Sequence, residues 1–207
     1  MHKIITISRE FGSGGRELGK RLAEALGVAY YDREIITAIA QESGLAEQYV
    51  AHISERGMPA YYPITYGRTF SCRAAAPSAQ MQVLAEQHKI IRALAEKSDC
   101  VIVGRCADVI LEAHRPLNLF VYADPDSKLA RCRSRQPADE PISDRALARR
   151  IAEIDRARAR YRALLTDTKW GDKACYHLCL NTTGFAVKAL IPTALSFASC
   201  YFGGPPK

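Results

Sequence analysis

The stretch Lys3–Leu26, KIITISREFGSGGRELGKRLAEAL, decides the fold. Ile4, Ile5, Thr6 and Ile7 are β-branched and read as a short strand. Gly12, Gly14 and Gly15 follow, and beyond them apolar residues recur at helical spacing through Leu26. A strand, a glycine loop and a helix together make a phosphate-binding arrangement. Glycines let the backbone close around an anion, and the unpaired N–H groups of the helix start point at it with the positive end of the macrodipole. Against the pattern G-x-x-x-x-G-K-S/T, residues 10–17 read Glu-Phe-Gly-Ser-Gly-Gly-Arg-Glu. The last glycine is matched at Gly15, whereas Glu10, Arg16 and Glu17 stand where the first glycine, the lysine and the Ser/Thr belong. Gly12, Ser13, Gly14, Gly15, Arg16 and Glu17 are therefore candidates for holding the phosphates of a nucleotide. Glu17 has a second reading, since an acid in the first turn stabilises a helix by itself.

Working outward, short apolar runs at Cys100–Val103, Leu117–Tyr122 and Tyr176–Leu180 look like buried parallel strands, and Val28–Tyr31 looks like a shorter one. Helical patterns lie between them at Arg16–Leu26, Ser78–Lys97, Ser127–Ser134 and Ser143–Leu165. Alternation of this kind predicts an α/β fold of three layers, a five-stranded parallel sheet with helices on both faces. Its phosphate loop would open at the carboxyl edge of the sheet. Two stretches interrupt the alternation. Residues 56–77 are rich in Pro, Gly and Tyr, and Tyr61, Tyr62 and Tyr66 read there as packing residues of an insertion; residues 136–142 read as the tip of a flap.

The chain has 207 residues, enough for one domain with a full core. Its net charge is +7 and its pI near 9.1, with the excess gathered as arginine between Arg131 and Arg162. That balance suits an anionic partner, either nucleotide phosphates or a nucleic-acid backbone, and no DNA- or RNA-binding motif supports the second. Seven cysteines without a C-x-x-C pair fit thiols in a reducing compartment better than a metal site. No charged segment followed by an apolar run opens the chain, so a cytoplasmic location is expected. The apolar stretch 185–202 is broken by Lys188 and Pro192 and reads as a packed C-terminal helix, with no membrane span expected.

Four segments in order, ISREFGSGGRELG (7–19), YYDREII (30–36), VIVGRCAD (101–108) and IDRARARYRALL (154–165), resemble the cytidylate kinase-like family among the P-loop nucleoside monophosphate kinases. The resemblance implies a single P-loop kinase-like domain over residues 1–207, with 32–97 as a helical monophosphate-binding insertion and 131–160 as an arginine-rich lid. It implies transfer of the γ-phosphate of ATP, carried with Mg2+, to CMP or dCMP. It gives Asp32 and Arg33 to the monophosphate segment and Arg105 to the acceptor phosphate. Asp155 and Arg158 fall to the cytosine and the acceptor phosphate, and Arg16, Arg131 and Arg133 to the transferring phosphoryl group. The family's aspartate after Gly104-Arg105 is here Cys106, with Asp108 two residues further on. No residue is singled out as the magnesium ligand.

The chemistry agrees with this set, because phosphoryl transfer needs positive charge and positioning more than covalent participation. Other readings stay open. Asp32 also suits a helix cap, Asp155 and Arg158 suit a local ion pair, and Arg131 and Arg133 cannot share one helical face. Arginine keeps the charge of the absent lysine but is bulkier and planar, so a nucleotide-binding sensor with little turnover is the alternative function.

Overall fold

A computed structural model describes residues 2–32, 79–136 and 142–203. Arg33, the segment 56–77 and residues 137–141 of the expected flap tip lie outside the described residues. The strands are β1 (Ile4–Arg9), β2 (Ala29–Tyr31), β3 (Cys100–Val103), β4 (Leu117–Tyr122) and β5 (Leu178–Asn181). They form one sheet in the order β2-β3-β1-β4-β5, and every neighbouring pair is parallel. The helices are α1 (Gly15–Leu26), α2 (Ala79–Lys97), α3 (Ala107–Ile110), α4 (Pro125–Arg133), α5 (Asp144–Ala163) and α6 (Ile191–Gly203). The five-stranded parallel α/β fold read from the alternation is the fold found.

Side chains alternate across the pleat, so each strand feeds two cores. On one face Ile4, Cys100 and Ile102 meet Val83, Ile90, Ile91 and Ala95 of α2 and Ala107 and Ile110 of α3. On the other, Ile5, Ile7, Val101, Val103, Leu119 and Val121 meet Leu18, Leu22 and Ala23 of α1 and Ala194 and Ala198 of α6. Each fully buried Ile or Leu contributes about 1.5–3 kcal/mol, so these faces carry most of the stability.

Three boundaries differ from the expected ones, each for a local reason. Helix α4 starts at Pro125 because Asp124 Oδ1 accepts the Ser127 N–H at 2.6 Å and proline suits the first helical position. Strand β5 starts at Leu178 because Tyr176 leaves the ladder and packs on Phe120, ring centroids 4.9 Å apart. The apolar stretch near the C-terminus divides into a 3-10 turn, Val187–Leu190, and α6. Among the described residues no helix is long and apolar enough to cross a membrane.

From β1 the chain runs through α1 to one side of the sheet, and from β3 it crosses β1 to reach β4 on the other. The carboxyl end of β1 thus lies where the connections diverge, the place at which open α/β sheets bind ligands.

Candidate functional site

The loop after β1 turns on two glycines in the left-handed region, Gly12 at φ +78° and Gly14 at φ +85°. A side chain at Gly15 is excluded in another way, since its Cβ would come within 2.5 Å of the Arg9 Cβ. The loop also ties itself together. The Ser13 hydroxyl donates to Glu10 O at 2.9 Å, and the Thr182 hydroxyl donates to Ser13 O at 2.8 Å. Ser13 is fully buried, so it shapes the loop through its hydroxyl and offers that group to no ligand. The first N–H bonded back along the helix is that of Leu18, to Gly14 O at 3.0 Å. The N–H groups of Gly15, Arg16 and Glu17 come before it and have no partner within the helix.

In front of the loop is a cleft of about 460 Å³. Arg9, Arg16, Arg131, Arg135, Arg150 and Arg158 line it together with Gly12, Gly14 and Gly15. Arg16 Nε lies 2.5 Å from Asp32 Oδ2, and Arg9 Nη2 lies 3.8 Å from Asp32 Oδ1. Arg131 Nη1 donates to Gly12 O at 3.4 Å, while its Nη2 donates to Phe185 O at 3.1 Å and to Thr182 O. Arg133 points to the outside and pairs with Asp144 at the start of α5. Of the two lid arginines named from the sequence, then, Arg131 reaches the loop and Arg133 does not. Glu17 binds Arg21 and Arg135, each at 2.9 Å.

The carboxyl end of β3 holds a second, smaller cavity of about 40 Å³. Its wall is Gly104-Arg105-Cys106, three consecutive residues with positive φ of 81°, 59° and 51°. Two of these are not glycine, so this backbone is held in a strained form by what surrounds it. The Arg9 guanidinium passes so close that a Cβ on Gly104 would overlap it, at 1.6 Å from Nη1. Behind the wall Gln87 Nε2 donates to Arg105 O at 3.5 Å and to the Tyr161 hydroxyl at 2.5 Å. Burial raises the Tyr161 hydroxyl well above its usual value and pushes the Cys106 thiol up to about 12. Both stay neutral at physiological pH. Arg9 and Arg158 line this cavity and the large cleft alike.

Under the loop is a cluster of which the sequence announced only the Asp155–Arg158 pair. Lys128 Nζ is 3.0 Å from Glu10 Oε2 and 3.5 Å from Asp155 Oδ2. Asp155 Oδ1 accepts the Phe11 N–H at 2.7 Å, and Arg158 Nη1 donates to Arg9 O at 2.9 Å and to Asp155 Oδ1 at 3.4 Å. Burial raises the pKa of Asp155, against the opposing pull of the Phe11 N–H, Arg158 and Lys128. Asp108 is taken up in structure, paired with Arg162 at 2.5 Å. Arg9 and Lys128 were missed. For Arg9 a signal existed, since it is the last residue of a buried strand that enters a glycine loop. For Lys128 there was none, because its partners are distant in the chain.

The profile of the cytidylate kinase-like family matches residues 4–184 of the 207. The chain belongs to this family. Among solved structures, an uncharacterized protein from Eubacterium ventriosum ATCC 27560 is 25% identical, with a TM-score of 0.68 over 96% of this chain and 99% of that one. A shikimate kinase from Bacteroides thetaiotaomicron superposes at TM-score 0.56 and 16% identity, over 96% of this chain and 99% of its own. A gluconokinase from Sinorhizobium meliloti 1021 does so at 0.53 and 13%, over 96% and 91%. At such identities the two kinases establish the shared P-loop kinase fold. No curated protein matches the chain.

The family implies a nucleotide carried with Mg2+, and the donor set is compatible with that ion. Mg2+ takes one or two carboxylates and completes its shell with phosphate oxygens and water. Asp32 and Glu17 are two carboxylates at the loop, and among the described residues no group of three or more His, Cys, Asp or Glu gathers to cage a metal. The ion, when bound, would be held largely through phosphate oxygens and water and would offset negative charge on the phosphate chain.

Proposed function

We propose that this member of the cytidylate kinase-like family is a phosphotransferase that moves the γ-phosphate of ATP to CMP or dCMP. The observation that carries the reading is the pair of adjoining cavities at the carboxyl ends of β1 and β3, which share Arg9 and Arg158. In this reading the phosphate chain of ATP lies on Gly12–Arg16 in the larger cleft, with Arg16 and Arg131 beside it. The acceptor phosphate enters from the side of Arg105, and the shared arginines span the gap. An acceptor oxygen forms a bond to the γ-phosphorus, the β–γ bridging bond breaks, and ADP leaves with the electron pair. The protein supplies alignment and positive charge around the spreading negative charge. Asp32 adds a role of its own by holding Arg16 in one direction.

A second reading, a nucleotide-binding sensor, draws on the same ion pair. Arg16 is engaged by a buried carboxylate, and the glutamate in the Ser/Thr position is engaged by two arginines. Both features lower the electrostatic pull on a transferring phosphoryl group. Formation of ADP from ATP and Mg2+ with CMP, dCMP, UMP, AMP and GMP, using Arg16→Ala as control, separates the two. Turnover selective for CMP or dCMP and dependent on Arg16 is the expected result. Tight ATP binding without diphosphate formation on any acceptor would establish the sensor in its place.

A further inference from the structure

The resemblance gives Asp155 to the acceptor base, but its carboxylate faces the other way. Oδ1 accepts the Phe11 N–H and Oδ2 lies beside Lys128 Nζ, so both oxygens are turned toward the underside of the loop. Neither Asp155 nor Lys128 lines the nucleotide cleft or the smaller cavity. Their partners account for every residue that enters the loop. Arg158 holds the Arg9 carbonyl and stands 5.8 Å over the Phe11 ring, and Lys128 holds the Glu10 carboxylate. Glu10 also accepts from Ala123 N at 3.3 Å. The Lys128 carbonyl oxygen lies directly against Gly12, 2.9 Å from where a Cβ would stand. The side chains of Lys128 and Asp155 are 13% and 14% exposed, which makes these charge-assisted bonds shielded ones.

We infer that Asp155 and Lys128 are positioning residues for the phosphate loop, which set how tightly the donor's phosphate chain is held and take no part in choosing the acceptor base. The inference rests on the donor reading of the loop given above. A nest of N–H groups binds an anion well only when the groups converge before the anion arrives, and any reordering on binding is subtracted from affinity. Segment 9–12 is anchored to β4 by the Glu10 N–H, which donates to Val121 O at 2.9 Å, and closed by Ser13 on the Glu10 carbonyl. Helices α4 and α5 add the side-chain bonds that hold Arg9, the Glu10 carboxylate and Phe11.

The test uses inorganic tripolyphosphate, a probe with phosphate chain and no base, titrated calorimetrically into the full chain. Asp155→Ala is expected to weaken its binding about tenfold, the loss of one shielded hydrogen bond to a charged group. Asp155→Asn, whose amide oxygen still accepts the Phe11 N–H, is expected to recover part of that loss. Lys128→Met reaches the loop from a different helix and is expected to weaken binding in the same direction, which decides the matter if Asp155→Ala does not fold. The ratio of kcat/KM for CMP to that for UMP is expected to stay at the wild-type value in Asp155→Asn. Unchanged tripolyphosphate affinity in the variants, no binding by the wild type, or a collapsed CMP-to-UMP ratio each overturns the inference. Wild-type protein that binds tripolyphosphate but turns over no monophosphate sinks the kinase reading alone, and the affinities of the variants still decide this one.

Discussion

Two arginine–carboxylate pairs in this molecule share a closest approach of 2.5 Å and differ in everything around it. Between Arg162 and Asp108 both side chains are buried, at 4% and 3% exposure. Between Arg16 and Asp32 the carboxylate is buried at 6% while the arginine is open at 47%. Arg162 also donates from Nε to Thr168 at 3.1 Å and lies 5.6 Å from the Tyr176 ring, so it bolts α5 to α3 and to the chain before β5. Arg16 is held from behind and faces a cleft. Distance therefore says little about what an ion pair is for. Burial of both partners makes a structural element, whereas burial of one partner presents the other to a ligand.

The comparison breaks most visibly at the buried pair. Asp108→Ala leaves the Arg162 charge in a dry site and is expected to cost about 3–5 kcal/mol, read as the shift of a urea unfolding midpoint. Replacing both partners with apolar residues of similar volume is expected to recover most of that loss, because no orphaned charge remains. A single substitution costing under about 1 kcal/mol would place this pair with ordinary surface pairs. Arg16→Ala should behave in the opposite manner. Stability is expected to fall less than for Asp108→Ala, because Arg9 still faces the buried Asp32 carboxylate at 3.8 Å, while turnover falls about 1,000-fold through the loss of a cation at the developing charge. Loss of stability without loss of turnover would reverse the assignment of the two arginines.

What was legible in the sequence follows the same division between local and distant causes. The strands, the glycine loop and the start of α1 could be read because their signals lie within a dozen residues of each other. Asp155 and Arg158 could be paired from their spacing, and their closest approach is 3.4 Å. The partners that fix their direction could not be read, since Phe11 and Lys128 come from the loop after β1 and from α4, and only the folded sheet brings them together. Cys106 shows the limit in another form. Nothing in its residue type suggests the left-handed backbone it adopts, with φ 51°, next to Gly104 and Arg105, which are left-handed too. Arg131 and Arg133 were separable only as a pair that cannot share a face. The carbonyls of Thr182 and Phe185 select Arg131.

Asp155 sharpens the contrast through pH. Its pKa is raised first by burial, with the Phe11 N–H, Arg158 and Lys128 pulling it down and Glu10 adding to the rise. Below the raised value and above the ordinary carboxylate range the folded chain carries a proton at Asp155 that the unfolded chain does not. The unfolded state then binds fewer protons, so the contribution of this group to stability grows as pH falls through that window. The same proton removes the charge facing Lys128 and weakens the acceptor for the Phe11 N–H, so tripolyphosphate binding should weaken. Stability and affinity thus move in opposite directions on acidification. Titrating both in wild type and Asp155→Asn is the check, and the variant is expected to lose this component of each. Parallel pH profiles in the two proteins would show that the carboxylate does not act on the loop.

The smallest effect is expected where both partners are open. Glu17 bridges Arg21 within α1 and Arg135 beyond α4, and the Arg135 side chain is 54% exposed and that of Glu17 31%. Side chains so placed gain little net attraction, and salt screens what they gain, so Arg135→Gln should alter stability by no more than about 0.5 kcal/mol. The bond does, however, join the first turn of α1 to the cleft in front of the loop, which Arg135 lines. In the proposed reading, ATP and Glu17 compete for one guanidinium. Arg135→Gln is expected to raise the KM for ATP a few-fold at low ionic strength, with the difference fading near physiological salt as the Debye length shortens to about 8 Å. Glu17→Gln frees the same arginine and should lower that KM under the same conditions. Equal and opposite shifts from the two substitutions would mark the bridge as a competitor of the nucleotide, whereas no shift from either would leave it a surface pair and nothing more.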